Sequence, residues 1–273
     1  ALLGVSQGSA EPAKLIVMTH EPRGRSTKRP ETVAIVGKGL TFDTGGISIK
    51  PGAKMEDMKF DMCGGAAVIG AMRAVSQLNV GVRVVGLVPA SENMPGGKSY
   101  KPGDILRAMN GKTIEIRNTD AEGRLILADA LAYATTKLRP KPKAIVDLAT
   151  LTGACVVALG DQHGALVSNN DPLAGDLLTA SDVSGDALWR MPLVDGSRKQ
   201  LESPYADLSN LGTPGAGTLT AAAFLENFTG SVPWAHLDIA GMAWTSKTNG
   251  FFTPGATGFG VRVIARWLQA RGK

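Results

Sequence analysis

A chain of 273 residues allows one large domain or two small ones, at about 100–200 residues each. With 44% hydrophobic and 19% charged residues it holds enough apolar surface to offset chain entropy, which excludes a disordered protein. The net charge of +5 permits an anionic partner, but two small basic clusters, Arg23-Arg25-Lys28-Arg29 and Lys137-Arg139-Lys141-Lys143, sit among Pro and Gly and read as solvated loops.

The first residues, Ala1-Leu2-Leu3-Gly4-Val5, lack the charged and long apolar parts of a signal peptide. The chain has no initiator Met, which fits a processed product or a piece of a longer protein. Short runs rich in Val and Ile predict strands over 15–18 and 32–36, followed by a helix over 64–77. Strands over 82–88 and 113–117 come next, then a helix over 123–137 and a strand over 144–148. Helices over 172–181 and 219–228, a strand over 236–239 and a helix over 258–271 complete the pattern. Strands alternating with helices predict an α/β fold, a mostly parallel central sheet flanked by helices on both faces. No linker or internal repeat divides residues 1–273, which read as a single domain. No apolar run approaches the ~18 residues of a membrane-spanning helix. Cys63 and Cys155 form no paired motif and read as buried thiols of a reducing compartment, hence a cytoplasmic protein.

In such sheets ligands gather beyond the carboxyl ends of the strands, here the loops after Val36, Val88, Arg117 and Leu148. Several familiar patterns fail there. Gly97-Lys98-Ser99 and Gly111-Lys112-Thr113 end like phosphate loops, but Glu92 and Leu106 stand where the earlier glycine belongs. There is no G-x-G-x-x-G after a strand, no G-x-S-x-G and no H-E-x-x-H. His20, His163 and His236 share no ligand spacing and read as structural or surface residues.

Acids and lysines in Gly-rich turns stand out instead. Asp43 ends an apolar run in Gly37-Lys38-Gly39-Leu40-Thr41-Phe42-Asp43-Thr44-Gly45-Gly46-Ile47-Ser48-Ile49-Lys50. Asp120 and Glu122 lie two apart, which in an extended turn points both carboxylates the same way. Asp61 lies between apolar residues just before a helix. Taken singly, Asp61 and Asp120 also fit helix N-caps, Glu122 a first-turn dipole partner, and Lys38 and Lys50 solvated side chains. Taken together, four carboxylates among apolar neighbours repel unless cations hold them. Two divalent ions would balance them, and a carboxylate-rich donor set with few histidines fits Mn²⁺, Mg²⁺ or Zn²⁺ in a two-metal hydrolytic site.

The segment Asn118-Thr119-Asp120-Ala121-Glu122-Gly123-Arg124-Leu125 resembles the signature of the cytosolic leucine aminopeptidase family. Five further stretches recur there in this order: 36–46, Met58-Lys59-Phe60-Asp61-Met62, Glu92-Asn93-Met94-Pro95-Gly96-Gly97, Ala149-Thr150-Leu151-Thr152-Gly153-Ala154 and His236-Leu237-Asp238-Ile239-Ala240-Gly241. The resemblance implies a metal-dependent hydrolase that removes an N-terminal residue, preferably leucine or a similar apolar one, from peptides. It implies two divalent metal ions, Mn²⁺ or Zn²⁺. Lys38, Asp43, Asp61 and Glu122 would hold one ion, and Asp43, Asp120 and Glu122 the other. It implies Lys50 as the electrophile at the scissile carbonyl and Arg124 as the holder of a bicarbonate general base. Met58, Thr150, Gly153 and Ala240 would line the pocket for the first side chain, and Met55, Met58 and Met62 also read as ordinary core at helical spacing. Family members usually carry an extra N-terminal domain and assemble as hexamers, and this chain would begin inside the linker or first strand of the catalytic domain. A DNA-binding role or a scaffold role is the competing reading. The charge permits contact with phosphates, but no groove-reading helix, basic stripe or aromatic interleaving supports it.

Overall fold

A computed structural model of the chain describes residues 1–23, 30–248, 250 and 252–272. Of the first basic cluster, Arg25, Lys28 and Arg29 lie outside the described residues. The elements run α1 (Leu2–Val5), β1 (Lys14–His20), β2 (Thr32–Gly37), β3 (Gly39–Asp43), α2 (Cys63–Leu78) and β4 (Arg83–Asn93). Then come β5 (Ile105–Arg107), β6 (Thr113–Glu115), α3 (Glu122–Thr136), β7 (Ala144–Ala149), α4 (Gly153–Leu159) and β8 (Gly164–Ser168). The remainder is α5 (Asp171–Ser184), β9 (Leu188–Arg190), α6 (Asp195–Lys199), β10 (Leu208–Ser209), α7 (Gly217–Glu226), β11 (Trp234–Asp238), β12 (Trp244–Thr245), β13 (Gly255–Ala256) and α8 (Val261–Arg271).

The central sheet has the order β1-β4-β2-β7-β11-β8-β9, with β3 also paired to β4. The pairs β4–β2, β2–β7, β7–β11, β3–β4 and β8–β9 are parallel, as predicted. Two pairs are antiparallel: β1 on β4, and β8 on β11. The central strands are apolar throughout because helices cover both faces; every residue of β2 and β7 is buried. Alternation splits their side chains between two cores. Ala34 and Val36 pack on one side with Leu125, Ile126 and Phe224 of α3 and α7. Val33 and Ile35 pack on the other with Val68, Leu177 and Trp267 of α2, α5 and α8.

Every predicted strand and helix is present, with ends shifted by a few residues. Three additions bear on the site. Strand β3 occupies part of the Gly-rich stretch after β2 and pairs with β4 through an irregularity between Leu40 and Phe42. Short helix α4 starts at Gly153, its first turn capped by Thr152, whose hydroxyl accepts from the Cys155 N–H. Residues Met55–Phe60 form a 3-10 turn, so the methionine spacing there belongs to a tighter turn than an α-helix. Gly37 is required by close approach: a Cβ there would lie 2.3 Å from the Gly64 carbonyl oxygen, where the start of α2 crosses the end of β2.

Candidate active site

The carboxyl ends of β2, β3, β7 and β11 and the starts of α2, α3 and α4 surround one cavity of about 520 Å³. Lys38 follows β2 and Asp43 ends β3, with Lys50 in the loop beyond. Met58 and Asp61 come from the turn before α2, and Asp120, Glu122 and Arg124 from the start of α3. Thr150 and Gly153 follow β7, and Ala240 follows β11. All eleven of these residues, singled out from the sequence, line this cavity. A larger open groove of about 740 Å³ lies at the start of α5, but its charged residues Arg190, Asp171, Arg198 and Glu226 are already paired with one another.

The helix-cap readings of Asp61 and Asp120 do not hold. Met62 is the cap residue of α2 and uses no side chain. Residues Thr119–Ala121 form a 3-10 turn rather than an extended one, because Asn118 is its cap and its side chain accepts the Asp120 N–H. The two carboxylates still converge. Oxygens of Asp43, Asp120 and Glu122 lie within 4.8 Å of one another.

Two lysines sit among four carboxylates. Lys38 Nζ lies 2.7 Å from Asp61 and 2.9 Å from Glu122, and donates to the Thr150 carbonyl at 3.1 Å. Lys50 Nζ lies 2.9 Å from Asp43 and 2.6 Å from Asp120. Lys38 is therefore buried rather than solvated, with 4% of its side chain exposed, against 22% for Lys50. Burial alone would lower the Lys38 ammonium; the charges of Asp61, Glu122 and Asp43 outweigh it and raise it. Lys50 is raised in the same way, burial being outweighed by Asp43 and Asp120.

The acids are strained electrostatically. Burial, then the charge of Asp43, pushes Glu122 up to about 8. Burial pushes Asp61 up to about 6 against the opposing charge of Lys38, and also raises Asp120. Two ammonium groups do not neutralise four carboxylates, and Glu122 Oε2 is buried with no partner. Closely spaced, under-compensated carboxylate oxygens are a donor set for a divalent cation. The residues present therefore fit a metal. Arg124 is buried, its guanidinium brought down to about 10 by burial. It donates to the Asn210 carbonyl at 2.8 Å, while its Nε has no partner.

Sequence reasoning gave no role to the residues that hold this cluster. The Asn93 amide, fully buried at the end of β4, donates to Asp43 at 2.9 Å and to the Thr119 carbonyl at 3.0 Å. Tyr100 donates to the same carbonyl at 2.7 Å. Asn210 accepts the Arg117 N–H through its side chain and donates to the Asn118 carbonyl. The one available signal was an Asn inside an otherwise buried strand end, since such an amide must find partners. The histidines are structural, as expected. His236 bonds Asp147 at 2.6 Å inside the sheet, His20 is buried against the Val80 carbonyl, and His163 stacks edge-on against Trp189.

The pattern described as "Cytosol aminopeptidase family, catalytic domain" matches residues 1–265. A probable cytosol aminopeptidase of Aromatoleum aromaticum is 54% identical over 99% of this chain and 52% of its own length. One of Photobacterium profundum is 51% identical over 98% of this chain and 52% of its own. The chain thus spans about half the length of these curated relatives. The solved structure of the bottromycin maturation enzyme BotP in complex with Mn superposes with a TM-score of 0.93 at 42% identity, over 100% of this chain and 59% of that one. With the site's residues gathered in one cavity and this match along nearly its whole length, the chain belongs to the cytosol aminopeptidase family, matching its catalytic domain.

Proposed function

We propose that residues 1–273 form one catalytic domain of a two-metal aminopeptidase that removes leucine or a similar apolar residue from peptide N-termini. The observation that carries this is the convergence of Asp43, Asp61, Asp120 and Glu122 with two lysines in one cavity, with a buried Glu122 oxygen unpartnered. Lys38, Asp43, Asp61 and Glu122 would hold one ion, and Asp43, Asp120 and Glu122 the second. Mn²⁺ or Zn²⁺ held there would supply a water of lowered pKa, polarisation of a carbonyl and a ligand position for a free amine.

The chain's own groups do the rest. Lys50 faces the cavity as an ammonium and stabilises negative charge developing on the scissile carbonyl oxygen. Arg124 presents an unpartnered Nε in a buried wall and would suit a planar anion such as bicarbonate, which would supply a general base there. Lys38 would act as a ligand only as a neutral amine, so holding an ion would require it to give up the proton it now presents to Asp61 and Glu122. Met58, Thr150, Gly153 and Ala240 form the wall that takes the first side chain. Met58 lends it an adaptable apolar surface. A cytoplasmic hexamer, as the resemblance implies, belongs to the same reading.

The test is a pair of substrates, a Leu-peptide and its N-acetyl derivative, with Mn²⁺ or Zn²⁺ supplied. Release of leucine from the free peptide alone is the expected result. Comparable cleavage of both overturns the amine requirement, and cleavage of neither favours a DNA-binding or scaffold role.

A further inference from the structure

Two of the segments that line the cavity, the loop after β7 and the turn after β11, are joined by one buried side chain. Asp238 is fully buried at the end of β11, beside Ala149 at the end of β7. Its Oδ1 accepts the N–H of Leu151 and the N–H of Ala240, each at 3.2 Å. Its Oδ2 accepts the hydroxyl of Thr152 at 2.6 Å. Ala240 donates one of these bonds, and Thr150 and Gly153 each stand one residue from a donor. Among the described residues no cation pairs with Asp238 directly; its contacts are these hydrogen bonds, and the charges of His236 and Arg124 act on it only across a distance. That is a costly arrangement where packing is the only purpose.

The bonds have a fixed direction. Thr152 has one hydroxyl proton, which goes to Asp238. Its oxygen must then accept from the Cys155 N–H at 3.1 Å and from the Thr218 hydroxyl at 2.9 Å. A carboxylate therefore orients Thr152, the first turn of α4 and the start of α7 together. An amide in its place has one oxygen for three donors. Its NH₂ would face either the backbone N–H groups or a Thr152 oxygen already accepting two bonds.

We propose that Asp238 is a positioning residue that fixes the width of the side-chain pocket, by tying the 150–153 loop to the turn at 239–240. It thereby sets which N-terminal residues are accepted. This rests on the aminopeptidase reading above.

The test compares Asp238→Asn with the parent chain. Mn²⁺ affinity is read by calorimetric titration, and kcat and KM are read on leucyl and alanyl amides. Mn²⁺ affinity should stay within about threefold. The leucyl-to-alanyl ratio of kcat/KM should fall about tenfold, chiefly through the leucyl KM, the scale on which an apolar pocket discriminates. Thr152→Val, which keeps the carboxylate but removes the oriented hydroxyl, should lower the same ratio, and Thr152→Ser should restore it. Thr152→Val also decides the question if Asp238→Asn does not fold. An equal loss on both substrates, or a parallel loss of Mn²⁺, overturns the positioning role while leaving the aminopeptidase reading in place. A metal-loaded parent chain that cleaves neither amide overturns both.

Discussion

Asp186 and Glu122 are both buried acids near the start of a helix, yet their surroundings are opposite. Asp186, reaching from before β9, accepts the N–H groups of Gly260, Arg262 and Val263 at 3.1 Å each, and Arg262 Nε at 3.0 Å. It caps α8 from 74 or more residues away, and the chain supplies all its donors. Glu122 has one oxygen on Lys38 and the other on nothing, with three more acids beside it. A buried carboxylate needs donors or a counter-charge. Where the chain provides them the group is structural, and where it falls short the deficit marks a place for an external cation.

The strongest way to break this contrast is Glu122→Ala. Loss of a shared ligand should abolish activity and lower Mn²⁺ affinity by more than the ~10²-fold typical of losing an outer partner. Full metal occupancy and full activity in this variant, by elemental analysis and a leucyl amide assay, would sink the two-metal assignment. Lys50→Ala comes next. The metal content should hold while kcat falls by roughly 10²–10³, as for one lost oxyanion donor. A parallel fall in metal and rate would make Lys50 structural.

Asp186→Ala sharpens the other side. It should leave metal affinity alone and cost about 2–4 kcal/mol in denaturant unfolding. That sums the ~1 kcal/mol of a lost cap and orphaned amide N–H groups, with little from the half-exposed Arg262. A change in metal affinity there would blur the distinction.

A further effect is on pH dependence. Burial raises Glu122 from an ordinary 4.5 to about 8 and Asp61 from 3.8 to about 6. A group raised on folding stabilises the fold below its unfolded value, and that contribution is lost as pH climbs through the folded value. The chelated protein should therefore lose thermal stability from about pH 3.8 to 8, and added Mn²⁺ should flatten the slope. A rising Tm across that window in chelator would contradict the assignment of strain to these acids.

Much was legible along the chain. β2 and β7 announce themselves as runs of Val, Ile and Ala because both their faces are covered, and the ligand candidates lie at strand ends or just before helices. β3 was not legible, because Gly39 and the glycines that flank it resemble a turn and its pairing with β4 exists only across a long separation. Nor was the antiparallel placement of β8 against β11, since strand direction is not written in local periodicity.

The identities of the acids and lysines, and their residence at strand ends and helix starts, were set by sequence alone, because residue type and local spacing are properties of the chain. Which oxygen meets which nitrogen was decided by tertiary structure. Asn93 reaches Asp43 across 50 residues, Asp238 reaches Leu151 across 87, and Asn210 meets Arg124 across 86. Burial then converts that proximity into shifted acids, since a carboxylate's charge becomes costly only once packing has removed its water.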